Sequence, residues 1–300
     1  MRSARSAARS RTGFMKGNLM LRSTALTAAI ALLAAPAVAD GHAGTMGYML
    51  SADGTGLTIM DSISTPEKAR MVELSTPLRS IAWRPVTGDL IGYADGMIVT
   101  IDTVSGETMD QGATFMDDAV IADGAVVAFD FNNKIDAVRA VSSMGDNLVY
   151  FPTDFGDDKA NSVRRFTDLF YAEGDMFEGE KPLIFANAYT NAISSAKASG
   201  TFQYALDART NALVSLANNA GTLETVGLVT IDGEPADILP LGGFDIVSPK
   251  EGTDAAYAVL QIDGQGSAGL YAIDLLTGAA TLLSDLGTAE VSSFAASSGM

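Results

Sequence analysis

Cysteine is absent from the 300-residue sequence, and histidine occurs only once, as His42. Without cysteine the chain can form no disulfide, offers no thiol nucleophile and has no thiolate to hold a metal ion. A Ser-His-Asp triad or a histidine-ligated metal needs a histidine in the folded domain, and His42 lies beside a predicted cleavage site. These two absences nearly exclude both kinds of site.

Basic residues are also few: 19 Lys and Arg stand against 36 Asp and Glu, which gives a net charge of −17. Residues 1–39 hold six of the basic residues and no acidic one, so without them the net charge is −23. Such a surface repels nucleic acid and anionic membranes and attracts cations. Because no basic patch interrupts the pattern, nucleic acid is excluded as a partner.

Long hydrophobic runs are missing, apart from a short one at residues 25–35. This run follows Lys16 and Arg22 and precedes the small residues 37–39, which is the layout of a secretory signal peptide. It is too short to span a membrane comfortably, and no later segment approaches the roughly 20 apolar residues that a span needs. The sequence therefore predicts a signal peptide over residues 1–39 and no membrane span.

Cleavage after Ala39 would leave residues 40–300 as the exported protein, which we expect to form one domain in the periplasm or outside the cell. Residues 1–14 are basic and rich in small residues, so translation could also begin at Met15 or Met20.

A repeated unit organises the rest of the chain. Residues 270–283, LYAIDLLTGAATLL, consist of an alternating apolar run, a turn that begins at an aspartate and a second run. Period-two alternation predicts strands, and the Asp-Gly and Gly-rich pairs in front of most units predict hairpins. We expect the recurrent aspartate to cap its own turn. Similar units occur at residues 56–74, 97–112, 147–158 and 201–216.

A third type of strand precedes most units, at residues 80–85, 128–133, 186–191 and 243–248. Residues 291–299 resemble this strand but have no unit after them, whereas the unit that begins at Met46 has no such strand before it. The two ends complement each other, which predicts an all-β fold: a β-propeller closed by a blade that both ends of the chain share.

The repeats predict five four-stranded blades. These comprise residues 291–299 with 46–75, then 78–115, 125–180, 183–229 and 242–287. Six blades are the alternative if a long blade hides another sheet. A β-sandwich is a further alternative, but it does not explain the split unit.

Two carboxylates fall on the first strand of their blades, which lines the central channel of a propeller. Asp130 and Asp245 share a strand face whose other residues are mostly small. One interpretation is a cation site, with Ca²⁺ as the ion, because carboxylate oxygens are its preferred ligands. The other, which we favour, is structural: the carboxylates accept backbone hydrogen bonds or pair with Arg84 or Arg139.

The densest polar stretch is residues 129–148, which contains Asn132, Asp136, Arg139 and Asn147 besides Asp130. It lacks the ligand order of an EF-hand loop. The pattern fits a ligand site, but a structural hydrogen-bond network is the favoured interpretation.

Residues 157–182 interrupt the repeat and place positive charge among aromatic side chains. Arginine and aromatic residues are enriched at protein interfaces, so we expect a contact surface here. The alternative is an outer strand that packs its aromatic rings into blade three. The residues concerned are Arg164, Arg165, Phe166, Phe170 and Tyr171.

Several segments together resemble a bacterial family known as domain of unknown function 4394. The segments are FDFN with the D..R.VS..G.NL that follows it (129–148), AYTN (188–191), ALD..TNALV with NAGTLETVG (205–227), GFDI (243–246) and LYAIDLLTGAATLL (270–283). The resemblance covers nearly all of the predicted exported chain, and it implies exported, propeller-like proteins without an established activity. The matching positions are Phe129, Asp130, Asn132, Asp136, Arg139, Ser142, Gly145, Asn147, Tyr189, Thr190, Asn191, Asn219, Gly221 and Thr222. This chain departs from the family at Asn133, where the family usually has proline.

We take as candidate ligand-binding residues Asp130, Asn132, Asp136, Arg139, Asn147, Tyr189, Asn191 and Asp245. Three functions remain open, in this order: a non-catalytic binding propeller for an unknown protein or small molecule, a structural protein stabilised by a divalent cation, and a carboxylate-based hydrolase. No cofactor is predicted, although Ca²⁺ fits the second function, and the sequence does not favour an enzyme.

Overall fold

The computed structural model describes residues 42, 44–288 and 291–299, so the predicted signal peptide lies outside the described residues. Strands make up five sheets, and the helical elements of the described residues are two short 3₁₀ turns, Pro66–Lys68 and Asn218–Ala220. No helix among these residues has the length and apolar character that crossing a membrane requires.

Blade 1 joins the two ends of the described chain. From the channel outward its strands are β24 (Val291–Ser297), β1 (Met46–Ser51), β2 (Gly56–Met60) and β3 (Arg70–Glu73). Antiparallel pairing of β24 with β1 forms the shared blade that the split repeat predicts.

Blade 2 also has four strands, and blade 3 has five. Blade 2 consists of β4 (Ser80–Arg84), β5 (Asp89–Ala94), β6 (Met97–Ile101) and β7 (Thr108–Asp110). Blade 3 consists of β9 (Val127–Asn132), β10 (Ala137–Ser142), β11 (Asn147–Phe151), β12 (Ser162–Arg165) and, at its outer edge, β8 (Thr114–Phe115).

Blades 4 and 5 are built in the same way. Blade 4 consists of β14 (Ile184–Tyr189), β15 (Gln203–Asp207), β16 (Ala212–Leu216), β17 (Thr222–Leu228) and the outer β13 (Phe170–Tyr171). Blade 5 consists of β20 (Ile238–Lys250), β21 (Thr253–Ile262), β22 (Gly269–Ile273), β23 (Ala279–Asp285), β18 (Thr230–Ile231) and β19 (Glu234–Pro235).

The innermost strands close a ring in the order β24, β4, β9, β14, β20 and back to β24, each in contact with the next. The five-bladed propeller with a shared blade is therefore confirmed, and the six-bladed and sandwich alternatives are wrong. The hairpin turns also follow the sequence, since Gly54 and Gly96 have φ angles of 72° and 75°.

Three blades carry outer strands that the repeat does not predict. β8, β13 and β18 each pair in parallel with the outermost strand of the blade that the chain is about to enter. Two predicted boundaries are therefore wrong: residues 114–115, predicted in blade 2, pair with blade 3, and Phe170 and Tyr171, predicted in blade 3, belong to the sheet of blade 4. These two-residue strands cover sheet edges that would otherwise be exposed, and they are too short to show alternation.

The recurrent aspartate of the repeat caps its turn, as predicted. The Oδ1 atom of Asp102 accepts a hydrogen bond from the backbone N–H of Val104 (2.7 Å), and Asp274 accepts one from Leu276 (2.8 Å). In blade 4, Asp207 accepts one from Arg209 (2.7 Å). The Asp102 and Asp274 carboxylates thus stabilise their own turns on the outside of the ring.

Small residues on the innermost strands allow neighbouring blades to approach closely. A Cβ atom on Gly243 of β20 would lie 2.2 Å from the backbone nitrogen of Phe294 on β24. Around this contact, buried side chains from both strands pack together, including Val247, Phe294 and Ala296. The close approach of β20 to β24 therefore depends on the absence of a side chain at Gly243.

We expect Gly243→Ala to lower the free energy of unfolding by about 1–3 kcal/mol, because the added methyl group forces two innermost strands apart. Gly266→Ala is the matched control, since nothing lies within 4 Å of a Cβ atom there and its φ is ordinary. Urea unfolding of both variants checks this. Equal midpoints for the two variants would contradict the packing argument.

Candidate functional site

Asp130 and Asp245 lie on the innermost strands of blades 3 and 5, with β14 between those strands in the ring. Each carboxylate reaches the innermost strand of the next blade. Asp130 Oδ2 accepts a hydrogen bond from the N–H of Tyr189 (2.7 Å), and Asp245 Oδ2 accepts one from Ala296 (2.6 Å). An innermost strand has an unpaired edge toward the channel, so these carboxylates satisfy backbone donors that the sheet leaves free.

Both carboxyl groups are buried, at 5% and 4% exposure, and burial disfavours their charged forms. Burial raises the pKa of Asp245 to about 7. Burial and then the charge of Asp245 raise the pKa of Asp130 well above its usual range. The two groups therefore titrate as an interacting pair, as the shared strand face suggested.

The predicted residues Arg139, Asn147 and Tyr189 form one buried network between blades 3 and 4. The Arg139 guanidinium donates to the Tyr189 hydroxyl (2.9 Å), to Asn147 Oδ1 and to Asn219 Oδ1 (2.7 Å). The Tyr189 hydroxyl in turn donates to Asn218 Oδ1 (2.8 Å). Within the described chain no carboxylate lies at ion-pair distance from Arg139, so neutral oxygens alone hold this cation.

Asp136 belongs to a different contact, between blades 2 and 3. The Arg84 guanidinium donates to both of its carboxylate oxygens, at 2.8 and 2.6 Å, and also to Asp154 (2.7 Å). Bidentate pairing of this kind is strong and geometrically specific. Asp136 has a φ of 59°, so a tight turn after β9 directs its carboxylate back toward blade 2.

Asn132 and Asn191 lie at the end of the channel where the innermost strands finish. Asn132 Oδ1 accepts hydrogen bonds from Lys134 N–H (3.1 Å) and the Thr201 hydroxyl (3.0 Å). Asn191 donates from its side chain to the carbonyl of Gly200 (2.7 Å) and accepts from Gly252 N–H (2.7 Å). The structure thus distributes the predicted residues over four regions, and their role in binding stays a prediction.

Residues 190–202, which we call the cap loop, cross this end of the channel. Ser195 N–H donates to the carbonyl of Pro85 in blade 2 (2.9 Å), and the Ser194 hydroxyl lies 3.0 Å from that of Ser298 next to blade 1. Asn191 N–H donates to Asp254 of blade 5 (2.8 Å).

Blade 3 holds the cap loop through Asn133. Its side-chain amide donates to the carbonyls of Asn191, Ile193 and Ala196, at 2.8 to 3.2 Å. The loop leaves blade 4 and bonds to each of the other four blades, so it seals one end of the channel. Asn133 is also the position where this chain departs from the family pattern, and proline could not make these bonds.

The opposite end of the channel, which we call the open face, carries a cavity. A cavity of about 280 Å³, which we call the mouth cavity, lies where the innermost strands begin. Four blades line it, largely with apolar groups such as Leu78, Val126 and Leu241, and with Arg79 and Asp53 as charged groups. Sequence reasoning missed this site because its residues are scattered along the chain, at 52–53, 78–79, 125–127, 240–241 and 292.

A larger cavity of about 600 Å³ lies on the sealed face, between the cap loop and the β20–β21 turn. Its walls include Ile193, Lys250 and Gly299. Gly44, near the other end of the described chain, also borders it.

Sequence reasoning also missed Asn187 and Gln203. Both side chains are buried at 1% exposure, and their amide groups have no hydrogen-bond partner among the described residues. Asn187 precedes Tyr189 by two positions on β14, and Gln203 lies opposite Tyr189 on β15. One signal in the sequence could have indicated this site: Asn187 is a polar residue between the small residues 186 and 188.

The predicted contact surface is not one exposed patch. Tyr171 is buried, and its hydroxyl donates to Asp207 (2.7 Å), so the prediction is wrong for this residue. Phe170 is 48% exposed, whereas Phe166 packs under the Arg139 guanidinium. Arg165 pairs with Asp146 and Asp168. Arg164 is half-buried and bonds locally, to the Ser162 hydroxyl and the Asp158 carbonyl.

Within the described chain, no group of three or more His, Cys, Asp or Glu side chains is placed to hold a metal ion. A Ca²⁺ site would depend on Asp130 and Asp245 alone, and both already accept backbone hydrogen bonds. The Ca²⁺ site stays a prediction.

A family model described as "Domain of unknown function (DUF4394)" matches residues 58–295. The chain belongs to this family. None of the curated proteins matches the sequence.

Several solved structures resemble this chain at low identity. An auxiliary nutrient binding protein from Bacteroides thetaiotaomicron VPI-5482 is 10% identical over 70% of this chain, with a TM-score of 0.41. The chain covers only 55% of that protein's length. AztD from Citrobacter koseri is 13% identical over 83% of this chain and 62% of its own, with a TM-score of 0.34. A Bacteroides caccae protein of unknown function is 8% identical over 84% of this chain and 98% of its own, with a TM-score of 0.39.

The carboxyl pair should make stability depend on pH. A raised folded-state pKa means that the folded protein keeps protons which the unfolded chain releases between about pH 4 and about pH 7. The free energy of unfolding should therefore fall as the pH rises through this window. Asp245→Asn should flatten that fall by up to about 1.4 kcal/mol per pH unit. Urea unfolding at several pH values measures it, with the exposed Asp263→Asn as control, and an unchanged slope in Asp245→Asn would refute the assignment.

Tyr189→Phe should lower the free energy of unfolding by about 1–3 kcal/mol, because Arg139 loses an acceptor and Asn218 loses a donor in a buried network. Tyr204→Phe is the control, since its half-buried hydroxyl has no hydrogen-bond partner among the described residues. Thermal unfolding of both variants distinguishes them. A loss of equal size in the two would mean that the network contributes nothing.

Proposed function

We propose that the protein is an exported, non-catalytic binding protein whose small ligand enters the mouth cavity. One observation carries this proposal: the channel is sealed at one end by the cap loop and has a cavity at the other. A ligand in the mouth cavity would meet groups from four blades at once. The predicted signal peptide supports export.

The positions of the polar candidates favour binding over catalysis. A general acid or base must come within hydrogen-bond reach of its substrate. Asp130 and Asp245 are buried and bonded to backbone N–H groups, while Asp136 is held by Arg84. The hydrolase alternative, which assigned its chemistry to these three carboxylates, is therefore not favoured.

The lining of the mouth cavity indicates the kind of ligand. Small-molecule sites are mostly apolar, with a few polar groups that fix orientation. Leu78 and Leu241 supply apolar surface, and the Arg79 guanidinium is held by Asp95 (2.6 Å) with a fifth of its side chain exposed. A compact ligand with an apolar face and one polar or anionic group fits this lining.

Thermal unfolding across a panel of amino acids, small sugars and divalent cations tests the proposal, with chelator added for the cations. A ligand that binds only the native state stabilises it by about 2.7 kcal/mol at a hundredfold excess over its Kd. We expect Leu241→Trp to abolish the shift by filling the mouth cavity. Leu276→Trp, at a position 83% exposed in a distant turn, should keep it.

Two results would contradict the proposal. A shift that survives Leu241→Trp but disappears in Ile193→Trp would place the ligand in the cavity on the sealed face. Turnover of a panel member by the wild-type protein would contradict the non-catalytic assignment.

A further inference from the structure

A second cavity of about 330 Å³ lies on the open face, between the β5–β6 turn of blade 2 and residues 115–123. Its floor is apolar and includes Tyr93, Phe115, Ala119 and Ile121. The Tyr93 and Phe115 ring centroids are 6.4 Å apart, so aromatic surface continues from one blade to the next. We call this cavity the acidic slot, for the carboxylates around it.

Side chains of blade 3 hold the outer wall of the acidic slot, residues 115–123, in place. Arg165 donates a hydrogen bond to the carbonyl of Val120 (2.9 Å), and Asp146 Oδ2 accepts one from the N–H of Ala122 (3.1 Å). Arg165 and Asp146 also pair with each other at 3.0 Å. A wall fixed in this way loses little conformational freedom when a partner binds.

Two large apolar side chains on this fixed wall face solvent. Met116 is 46% exposed and Val120 is 61% exposed. Methionine is enriched at protein interfaces, and exposed apolar groups that border an apolar cavity mark contact sites.

The charge around the slot is negative and unbalanced. The two nearby cations are engaged, Arg79 by Asp95 and Arg165 by Asp146 and Asp168. The exposed carboxylates that follow Met116 have no cation partner in the part of the chain that the structure describes. These carboxylates are Asp117, Asp118 and Asp123.

A bound metal ion does not account for these carboxylates, because no three acidic side chains of the described residues are placed to share one. Asp95 and Asp123 line the apolar cavity, and Asp117 and Asp118 directly follow Met116 of its lining. This arrangement instead matches a partner in which several separate cations flank an apolar side chain. Complementary charge of this kind guides recognition and the rate of association.

We propose that the acidic slot binds a basic peptide segment of a partner protein, with one aliphatic side chain in the slot and flanking Lys or Arg residues facing Asp117, Asp118 and Asp123. This site is separate from the mouth cavity, because the Arg79 side chain, held by Asp95 and the carbonyl of Ala125, lies between the two. Its existence does not depend on the small ligand proposed above.

Fluorescence anisotropy of the purified protein with a labelled Gly-Lys-Leu-Lys-Gly peptide, blocked at both ends, tests the proposal. We expect saturable binding that weakens as salt increases, and none for the Gly-Glu-Leu-Glu-Gly peptide. Combined Asp117→Asn, Asp118→Asn and Asp123→Asn should weaken binding about tenfold, because the two lysines of the peptide lose their exposed ion pairs. Met116→Gln should also weaken it, and a Gly-Lys-Ser-Lys-Gly peptide should bind less tightly than the leucine peptide.

The matched control removes three exposed acids elsewhere, Glu180→Gln, Glu234→Gln and Asp263→Asn, and should leave the affinity unchanged. Thermal unfolding of each variant confirms that it is folded. No saturable binding of the Lys-Leu-Lys peptide would overturn the proposal, as would equal affinities in the slot variant and the control. Leu241→Trp, which tests the mouth cavity, should not alter peptide binding, so the two sites can fail independently.

Discussion

The unpaired inner edge of each blade is the constraint on which the rest of this structure depends. A ring of five sheets points five such edges at one narrow channel, and their backbone groups need partners there. Pairing of β24 with β1 closes the ring, but it does not satisfy the inner edges. Two carboxylates do part of that work: Asp130 bonds to the edge of β14 and Asp245 to the edge of β24. Small residues such as Gly243 then let the strands approach.

This solution has an electrostatic consequence. Burial disfavours the charged forms of Asp130 and Asp245, and the charge of Asp245 further disfavours that of Asp130. Asp130 and Asp245 are therefore committed to structure, each bonded to a neighbouring blade. Arg139 shows the same commitment between blades 3 and 4, where hydroxyl and amide oxygens hold a buried cation without a carboxylate. Groups used in this way have little capacity left for a ligand, which shifts recognition to the ends of the channel.

The fold was predictable because its signals are local. Alternation, Asp-Gly turns and the split repeat lie within short windows, and they define the blades and their closure. The parallel strands β8, β13 and β18 were not predictable, because two residues cannot show a period. The cap loop was not predictable either, since Asn133 and Ser194 gain their meaning from partners in distant blades. For the polar stretch at 129–148, the sequence identified the residues, and only the structure separated the Asp136 pair from the Arg139 network.

The two ends of the channel differ in the segments that form them. Where the innermost strands end, one long loop from blade 4 spans the ring and fixes that face. Where they begin, four blades contribute strand ends and adjoining segments to the mouth cavity. The mouth cavity and the acidic slot lie side by side in those segments, separated by Arg79. Because Asp95 and the carbonyl of Ala125 hold that side chain, a ligand on one side meets a fixed wall. The open face can therefore offer an apolar cavity and an acidic one without either depending on the other.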